Sequence, residues 1–200
     1  MKHINLKEIM IIADKSQEGR WGLGYSNFIG NPEICWPYLR FLYHFVEIYQ
    51  PELVIECGVY MGTATEHMAL ASWATTVIGI DIKPHNAFYD VVRRNTNVRF
   101  VHGDSRFSFE DVKLLAEDRR LGLLFLDSTH DGETAQAELE LYSELMDDEC
   151  LVACDDIRGY DEMRDWWDDL DYPKIDLSRL HTQENELGVP TGFGVIIIRR

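Results

Sequence analysis

Asp127, Asp155, Asp156 and His130 stand at the ends of two apolar runs, and their types and spacing carry the most specific chemistry in the chain. Leu123-Leu124-Phe125-Leu126 closes on Asp127, and Cys150-Leu151-Val152-Ala153-Cys154 runs into Asp155 and Asp156. If the two runs are neighbouring strands, ~4.8 Å apart, their carboxyl ends bring these oxygen donors to one point, which is the ligand chemistry of Mg²⁺. Without a cation the carboxylates, having no base nearby in sequence, repel one another. The segment Asp127-Ser128-Thr129-His130 adds an imidazole one turn further on, suited by its near-neutral pKa to take a proton from a hydroxyl. Two plainer readings stay open at this stage. Asp156 can cap a helix beginning near Tyr160, and His130 can be a structural histidine bonded to a loop carbonyl.

A second constellation precedes the first. Val54-Ile55-Glu56-Cys57-Gly58-Val59-Tyr60-Met61-Gly62-Thr63 is an apolar strand with an acid near its end, opening into a Gly-x-x-x-Gly turn and then a helix over residues 63–72. Gly58 and Gly62 allow a tight turn and close approach of a ligand to the backbone, and the free N–H groups of the helix start face that ligand. Thr76-Val77-Ile78-Gly79-Ile80-Asp81 reads as a buried strand whose terminal acid can accept hydrogen bonds from both hydroxyls of a ribose. Val98-Arg99-Phe100-Val101-His102 is another strand, and Gly103-Asp104-Ser105 after it offers a carboxylate and a hydroxyl to an adenine edge.

Strands alternating with helices in this rhythm predict an α/β fold with a doubly wound sheet, whose ligands sit outside the carboxyl ends of the strands. A nicotinamide enzyme is the natural rival, but its fingerprint places three glycines as Gly-x-Gly-x-x-Gly. From Glu56 this chain reads Glu-x-Gly-x-x-x-Gly.

From about Gln50 to its end the chain resembles the class I S-adenosylmethionine-dependent methyltransferases. Gly192-Phe193-Gly194-Val195-Ile196-Ile197-Ile198 is similar to that family's final strand, which inserts antiparallel beside the fifth. The resemblance implies a Rossmann-like methyltransferase sheet of order 3-2-1-4-5-7-6. It also implies a cofactor site in which Glu56 and Gly58 line the methionine part, Asp81 the ribose, and Asp104 with Ser105 the adenine, with Met61, Gly62 and Asp127 at the cofactor as well. Within the family the likeness narrows to the metal-dependent O-methyltransferases of natural-product sugars and the cephalosporin-hydroxylase-like proteins. That branch implies Mg²⁺ held by Asp127, Asp155 and Asp156, with His130 as general base. Met146-Asp147-Asp148-Glu149 stands where the branch usually has a Pro-Gly-Gly turn, a departure expected at a surface turn.

Two hundred residues with 46% apolar content can bury one substantial core. A single structural domain is expected, with residues 1–50 as an N-terminal cap or lid and 51–200 as the S-adenosylmethionine-binding domain. No apolar run approaches the ~18 residues of a membrane span, and Met1-Lys2-His3 lacks the apolar stretch of a signal peptide, so a cytoplasmic protein is expected. Cys35, Cys57, Cys150 and Cys154 include no Cys-x-x-Cys pair and read as free thiols. With 35 acidic against 19 basic residues and a net charge of −16, the chain would repel a phosphate backbone, which argues against nucleic acid as substrate. The acids from Asp161 to Asp171 read as a solvated helix face and loop.

Ahead of the sheet, Trp21, Tyr25, Phe28, Trp36, Tyr38, Phe41, Tyr43 and Phe45 concentrate aromatic residues. Ile34–Tyr49 has the spacing of an amphipathic helix packing on the sheet or on a partner subunit, which would suit a homodimer. Gly19-Arg20-Trp21-Gly22-Leu23-Gly24-Tyr25 has the composition of a lid. If it is one, Trp21→Ala raises the acceptor KM and leaves cofactor affinity unchanged, a split that steady-state kinetics with cofactor titration resolves. Trp166 or Trp167 is a further candidate for the acceptor wall. The expectation is thus a small-molecule methyltransferase using S-adenosylmethionine and Mg²⁺. A metal-independent methyltransferase, a hydroxylase-like protein and a non-catalytic cofactor-binding subunit remain as alternatives.

Overall fold

The computed structural model of the chain describes residues 3–17, 36–181, 184, 188 and 190–200. The 19–25 segment, Phe28, Ile34 and Cys35 lie outside the described residues. Two helices, α1 (Leu6–Gln17) and α2 (Pro37–Tyr49), precede the sheet. Then β1 (Leu53–Cys57), α3 (Thr63–Ala71), β2 (Thr76–Asp81), α4 (Asn86–Arg94), β3 (Val98–His102), α5 (Phe109–Ala116), β4 (Leu121–Leu126), α6 (Gly132–Ser143) and β5 (Met146–Asp155) alternate. The chain closes with α7 (Asp161–Asp169), β6 (Lys174–Asp176) and β7 (Phe193–Arg199). Strand order is β3-β2-β1-β4-β5-β7-β6, with β1 to β5 parallel and β7 antiparallel to both β5 and β6. The doubly wound sheet expected from the sequence is therefore present, in the expected order.

Central strands of a parallel sheet are covered on both faces and read as continuous apolar runs. β1 and β4 are buried at every position, whereas β6 at the sheet edge is not. Alternating side chains feed two cores. Val54, Val77, Phe125 and Ala153 meet α1, α2 and α3 on one face, while Ile55, Ile78, Leu124 and Val152 meet α5, α6 and α7 on the other. The aromatic stripe of α2 is spent on this fold: Tyr38, Phe41, Phe45 and Tyr49 are all buried within the same chain. In α7 the acids point outward over a buried Met163 and Trp167.

One local expectation is corrected. Met146-Asp147-Asp148-Glu149 is not a free surface turn but the start of β5. Leu121 pairs with Met146 and Leu123 with Leu151, so the intervening β5 residues bulge away from β4. The antiparallel neighbour supplies the missing ladder, Glu149 opposite Arg199 and Cys150 opposite Ile198. Cys57, Cys150 and Cys154 are buried free thiols.

Candidate active site

The carboxyl ends of β1, β2, β4 and β5 open into a cavity of about 650 Å³, the size of a small-molecule site. Its floor is the turn after β1. Gly58 has φ +85°, and a Cβ there would lie 2.0 Å from the Asp127 carbonyl oxygen. A side chain at 58 is therefore excluded by the main chain at the β4 end. Gly62, φ +81°, answers a different need: its Cβ would meet Phe88 of α4 at 2.6 Å, and it is not among the cavity's lining residues. Met61 is.

Asp81 spends most of its carboxylate on shaping that turn. One oxygen accepts the N–H groups of Val59 (3.0 Å) and Tyr60 (2.9 Å), and the other accepts that of Lys83 (2.6 Å). With about two lone pairs per oxygen, the second oxygen retains capacity for a ligand hydroxyl. Glu56 is buried in the cavity wall and accepts the Thr65 hydroxyl (2.5 Å). Burial pushes its carboxyl up to about 8, against the opposing pull of that hydrogen bond.

Asp104 and Ser105 are placed elsewhere. Asp104 caps the short turn Ser105–Phe107 and binds the Arg106 guanidinium, which holds its carboxyl below the usual range. Ser105 donates to Glu138 of α6. Neither lines the large cavity. Trp166 and Trp167 do not line it either; Trp166 donates to Gln136 and Trp167 is core.

At the β4 and β5 ends, Asp127, His130 and Asp156 each present a ligand-capable atom, and those atoms lie within 4.8 Å of one another. His130 Nδ1 contacts the Asp156 carboxylate, and the His130 ring is stacked on Tyr160 at 5.4 Å. Both His130 and Asp156 have φ +57°, a region costly for non-glycine residues and concentrated at functional sites. Asp156 does not cap α7, whose N-cap is Tyr160. Burial, followed by the charges of Asp155, Asp156 and Glu56, raises the Asp127 carboxyl well above its ordinary value. The hydrogen bond that His130 donates to the Asp156 carboxylate raises the imidazole above its ordinary value. A two-carboxylate, one-imidazole donor set whose acids oppose each other's ionisation fits a divalent cation.

Asp155 faces a different partner. Its carboxylate lies 3.2 Å from Nε2 of His181, a residue without local sequence signal, and Thr191 Oγ1 lies 3.0 Å from Nδ1 of the same ring. The His181 ring stacks on Tyr38 at 4.6 Å and on Trp36 at 5.9 Å. His181, Tyr38, Trp36, Tyr160 and Thr191 all line the cavity. Periodicity alone could not assign them, because these residues come from segments far apart in the chain.

The fold recurs among solved structures. An O-methyltransferase from Bacillus cereus in complex with SAH shares 14% identity and a TM-score of 0.63 over 100% of this chain and 93% of that one. The O-methyltransferase TomG from Streptomyces achromogenes, in complex with SAM, shares 12% and 0.62 over 82% and 79%. Cofactor-bound Rv0187 from MTB shares 18% and 0.64 over 98% and 89%. No curated protein matches the chain. The methyltransferase domain family matches residues 55–157, from the middle of β1 through both candidate cation loops. That span is just over half of the 200 residues, so the chain belongs to the methyltransferase domain family and is a class I S-adenosylmethionine-dependent methyltransferase.

Proposed function

We propose that this enzyme transfers the methyl group of S-adenosylmethionine to a hydroxyl of a small molecule such as a sugar, a vicinal diol or a phenol, with a divalent cation, Mg²⁺, at Asp127 and Asp156. The observation that carries the reading is the convergence of Asp127, His130 and Asp156 on one wall of the cavity that Gly58, Met61 and Asp81 also line. Neighbours of the same fold that are O-methyltransferases bound to SAM or SAH support it. The acids in the cavity wall favour an uncharged acceptor over a phosphate-rich nucleic acid. Buried free thiols at Cys57, Cys150 and Cys154 suit a reducing, cytoplasmic compartment. Among the described residues no helix is long and apolar enough to cross a membrane.

When bound, the cation supplies Lewis acidity that makes a nearby substrate hydroxyl easier to deprotonate. His130 engages Asp156 through Nδ1, leaving Nε2 to accept that proton. The substrate oxygen then forms a bond to the sulfonium methyl carbon as the carbon–sulfur bond breaks, its electron pair remaining on sulfur. Glu56 and Asp81 orient the cofactor, and the Tyr160, Tyr38 and Trp36 rings wall the acceptor from water.

Thermal-shift series with S-adenosylhomocysteine, in Mg²⁺ and again in EDTA, test the reading, since a ligand bound only by the native state raises the melting temperature. Expected are stabilisation by the nucleoside, a separate Mg²⁺ response, and methylated diol or catechol from labelled cofactor in Mg²⁺ alone. His130→Ala should then cut turnover by ~10²–10⁴ while S-adenosylhomocysteine still binds. One observation favours a second reading. His130 Nδ1 is held on the Asp156 carboxylate, and such an Asp–His pair can serve as a base with no metal in the step. Full turnover in EDTA would select it.

A further inference from the structure

By the register of the sheet, Asp155 rather than Asp156 is the natural companion of Asp127. β4 and β5 pair in parallel with Phe125 opposite Ala153 and Leu126 opposite Cys154, so the next residues, Asp127 and Asp155, stand side by side at the two strand ends. Phe125 and Ala153 belong to the core beneath α2, and strand alternation carries Asp127 and Asp155 to that same face. Of the neighbouring charges, that of Asp155 does most to raise the Asp127 carboxyl. Yet the ligand-capable atoms that gather within 4.8 Å belong to Asp127, His130 and Asp156.

Asp155 is held aside by His181. Its Oδ1 lies 3.2 Å from His181 Nε2 and also accepts the Asp156 N–H at 3.0 Å. The imidazole is fixed in turn. Thr191 Oγ1 lies 3.0 Å from its Nδ1, and its ring stacks on Tyr38 at 4.6 Å with 8° between the planes. Tyr38 packs on Phe125 and on Phe193, which is the β7 partner of Asp155. Asp155 and His181 are both buried. Burial raises the Asp155 carboxyl, and the His181 hydrogen bond pulls it back down. A buried carboxylate that loses such a donor is left desolvated, so the contact holds Asp155 against the pull of a cation beside it.

We propose that His181 is a positioning residue that withholds Asp155 from the cation, so that the centre is built on Asp127 and Asp156 and keeps coordination positions for the oxygens of the acceptor. The inference rests on the cation site proposed above. Mg²⁺ takes about six ligands in near-octahedral array. A third protein carboxylate would fill one of those positions, and its charge would oppose ionisation of a substrate hydroxyl at the same ion.

Isothermal titration of Mn²⁺ into the metal-free enzyme reads the ligand set. Asp127→Asn and Asp156→Asn should each weaken Mn²⁺ by at least the roughly 10–100-fold typical of groups that merely orient a ligand. Asp155→Asn should cost about tenfold less than either, because it removes a nearby charge and not a ligand. His181→Phe keeps a ring stacked on Tyr38 and loses both hydrogen bonds. It should release Asp155 to the ion and tighten Mn²⁺ about tenfold, and Mg²⁺ should raise its melting temperature more than that of the parent. Adding Asp155→Asn to His181→Phe should abolish the gain. A merely structural histidine would loosen the site when replaced, not tighten it. Asp155→Asn as damaging as Asp127→Asn, or a folded His181→Phe protein that binds Mn²⁺ no better than the parent, would overturn the inference and leave the cation site standing. If His181→Phe does not fold, Asp155→Asn decides. An unaltered enzyme that binds no Mn²⁺ overturns the cation reading and this inference with it.

Discussion

Asp127→Asn is expected to melt higher than the parent at pH 8 in EDTA and to lose turnover by at least about 100-fold in Mg²⁺. The gain follows from linkage. Burial and the charges of Asp155, Asp156 and Glu56 raise the Asp127 carboxyl well above its ordinary value in the folded state. For an acid shifted upward, the native state is favoured below the unfolded pKa of about 4. That advantage is lost as pH rises through the folded value. Metal-free protein should therefore be more stable near pH 5 than at pH 8, with Asp155 and Glu56, also raised by burial, adding to the slope. Asparagine removes one member of the repelling group, flattening the profile and raising the melting temperature at pH 8. For a chain of this size each kcal/mol gained appears as roughly 2–4 °C. The same change deletes one of the proposed cation ligands, so on that reading the parent should overtake the variant when Mg²⁺ is added. Differential scanning calorimetry at pH 5 and 8, with and without Mg²⁺, measures all four corners; a variant that melts lower at pH 8 in EDTA would show that Asp127 is not held against its neighbours' charge.

The second large effect is expected at Gly58. A Cβ there would sit 2.0 Å from the Asp127 carbonyl oxygen and 2.8 Å from Ser128 Cα, on a backbone with φ +85°. These are main-chain atoms directly after the central strand β4, not the far end of a flexible side chain that could swing away. Gly58→Ala should cost on the order of 3–5 kcal/mol, displace the β4 end that leads into the Asp127–His130 loop, and abolish binding of S-adenosylhomocysteine. Gly188→Ala is the control. It has a comparable φ of +73°, but its nearest neighbour would be Glu184 Oε2 at 3.8 Å, so only backbone strain of about 1 kcal/mol is expected. Urea denaturation of both, alongside calorimetric titration of the nucleoside, separates strain from collision. Equal losses in the two would mean that the close approach at Gly58 is not what requires glycine.

How far the sequence reaches differs between elements. The central strands were legible because a strand covered on both faces must be apolar at nearly every position, and β1, β2 and β4 are. Their order followed from the rhythm of alternation and the resemblance carried by the last strand. The start of β5 was not legible. Asp147, Asp148 and Glu149 have turn-like composition, and the partners that hold the stretch extended come from β7 and the residue after it: Glu149 pairs with Arg199, and the Arg200 N–H donates to the Asp148 carbonyl.

The candidate site divides in the same way. Glu56, Gly58, Asp81, Asp127, Asp155 and Asp156 declare themselves because each stands at or near the end of an apolar run, and strand ends on one edge of a parallel sheet must gather. What each of them does there is a matter of three-dimensional contact. The fold turns Asp155 toward His181 and leaves Asp156 with His130, although the two acids are adjacent in sequence, because Asp155 is the last residue of β5 while Asp156 lies just past it on a left-handed backbone with φ +57°. It packs Gly62 closely against Phe88, and it takes the Ser105 hydroxyl to a buried Glu138. Local pattern by itself determined which chemistry is present and at which edge of the sheet it collects. Only the tertiary structure decided which groups touch, because pairing depends on the face a side chain occupies and on helices that return to it from distant parts of the chain.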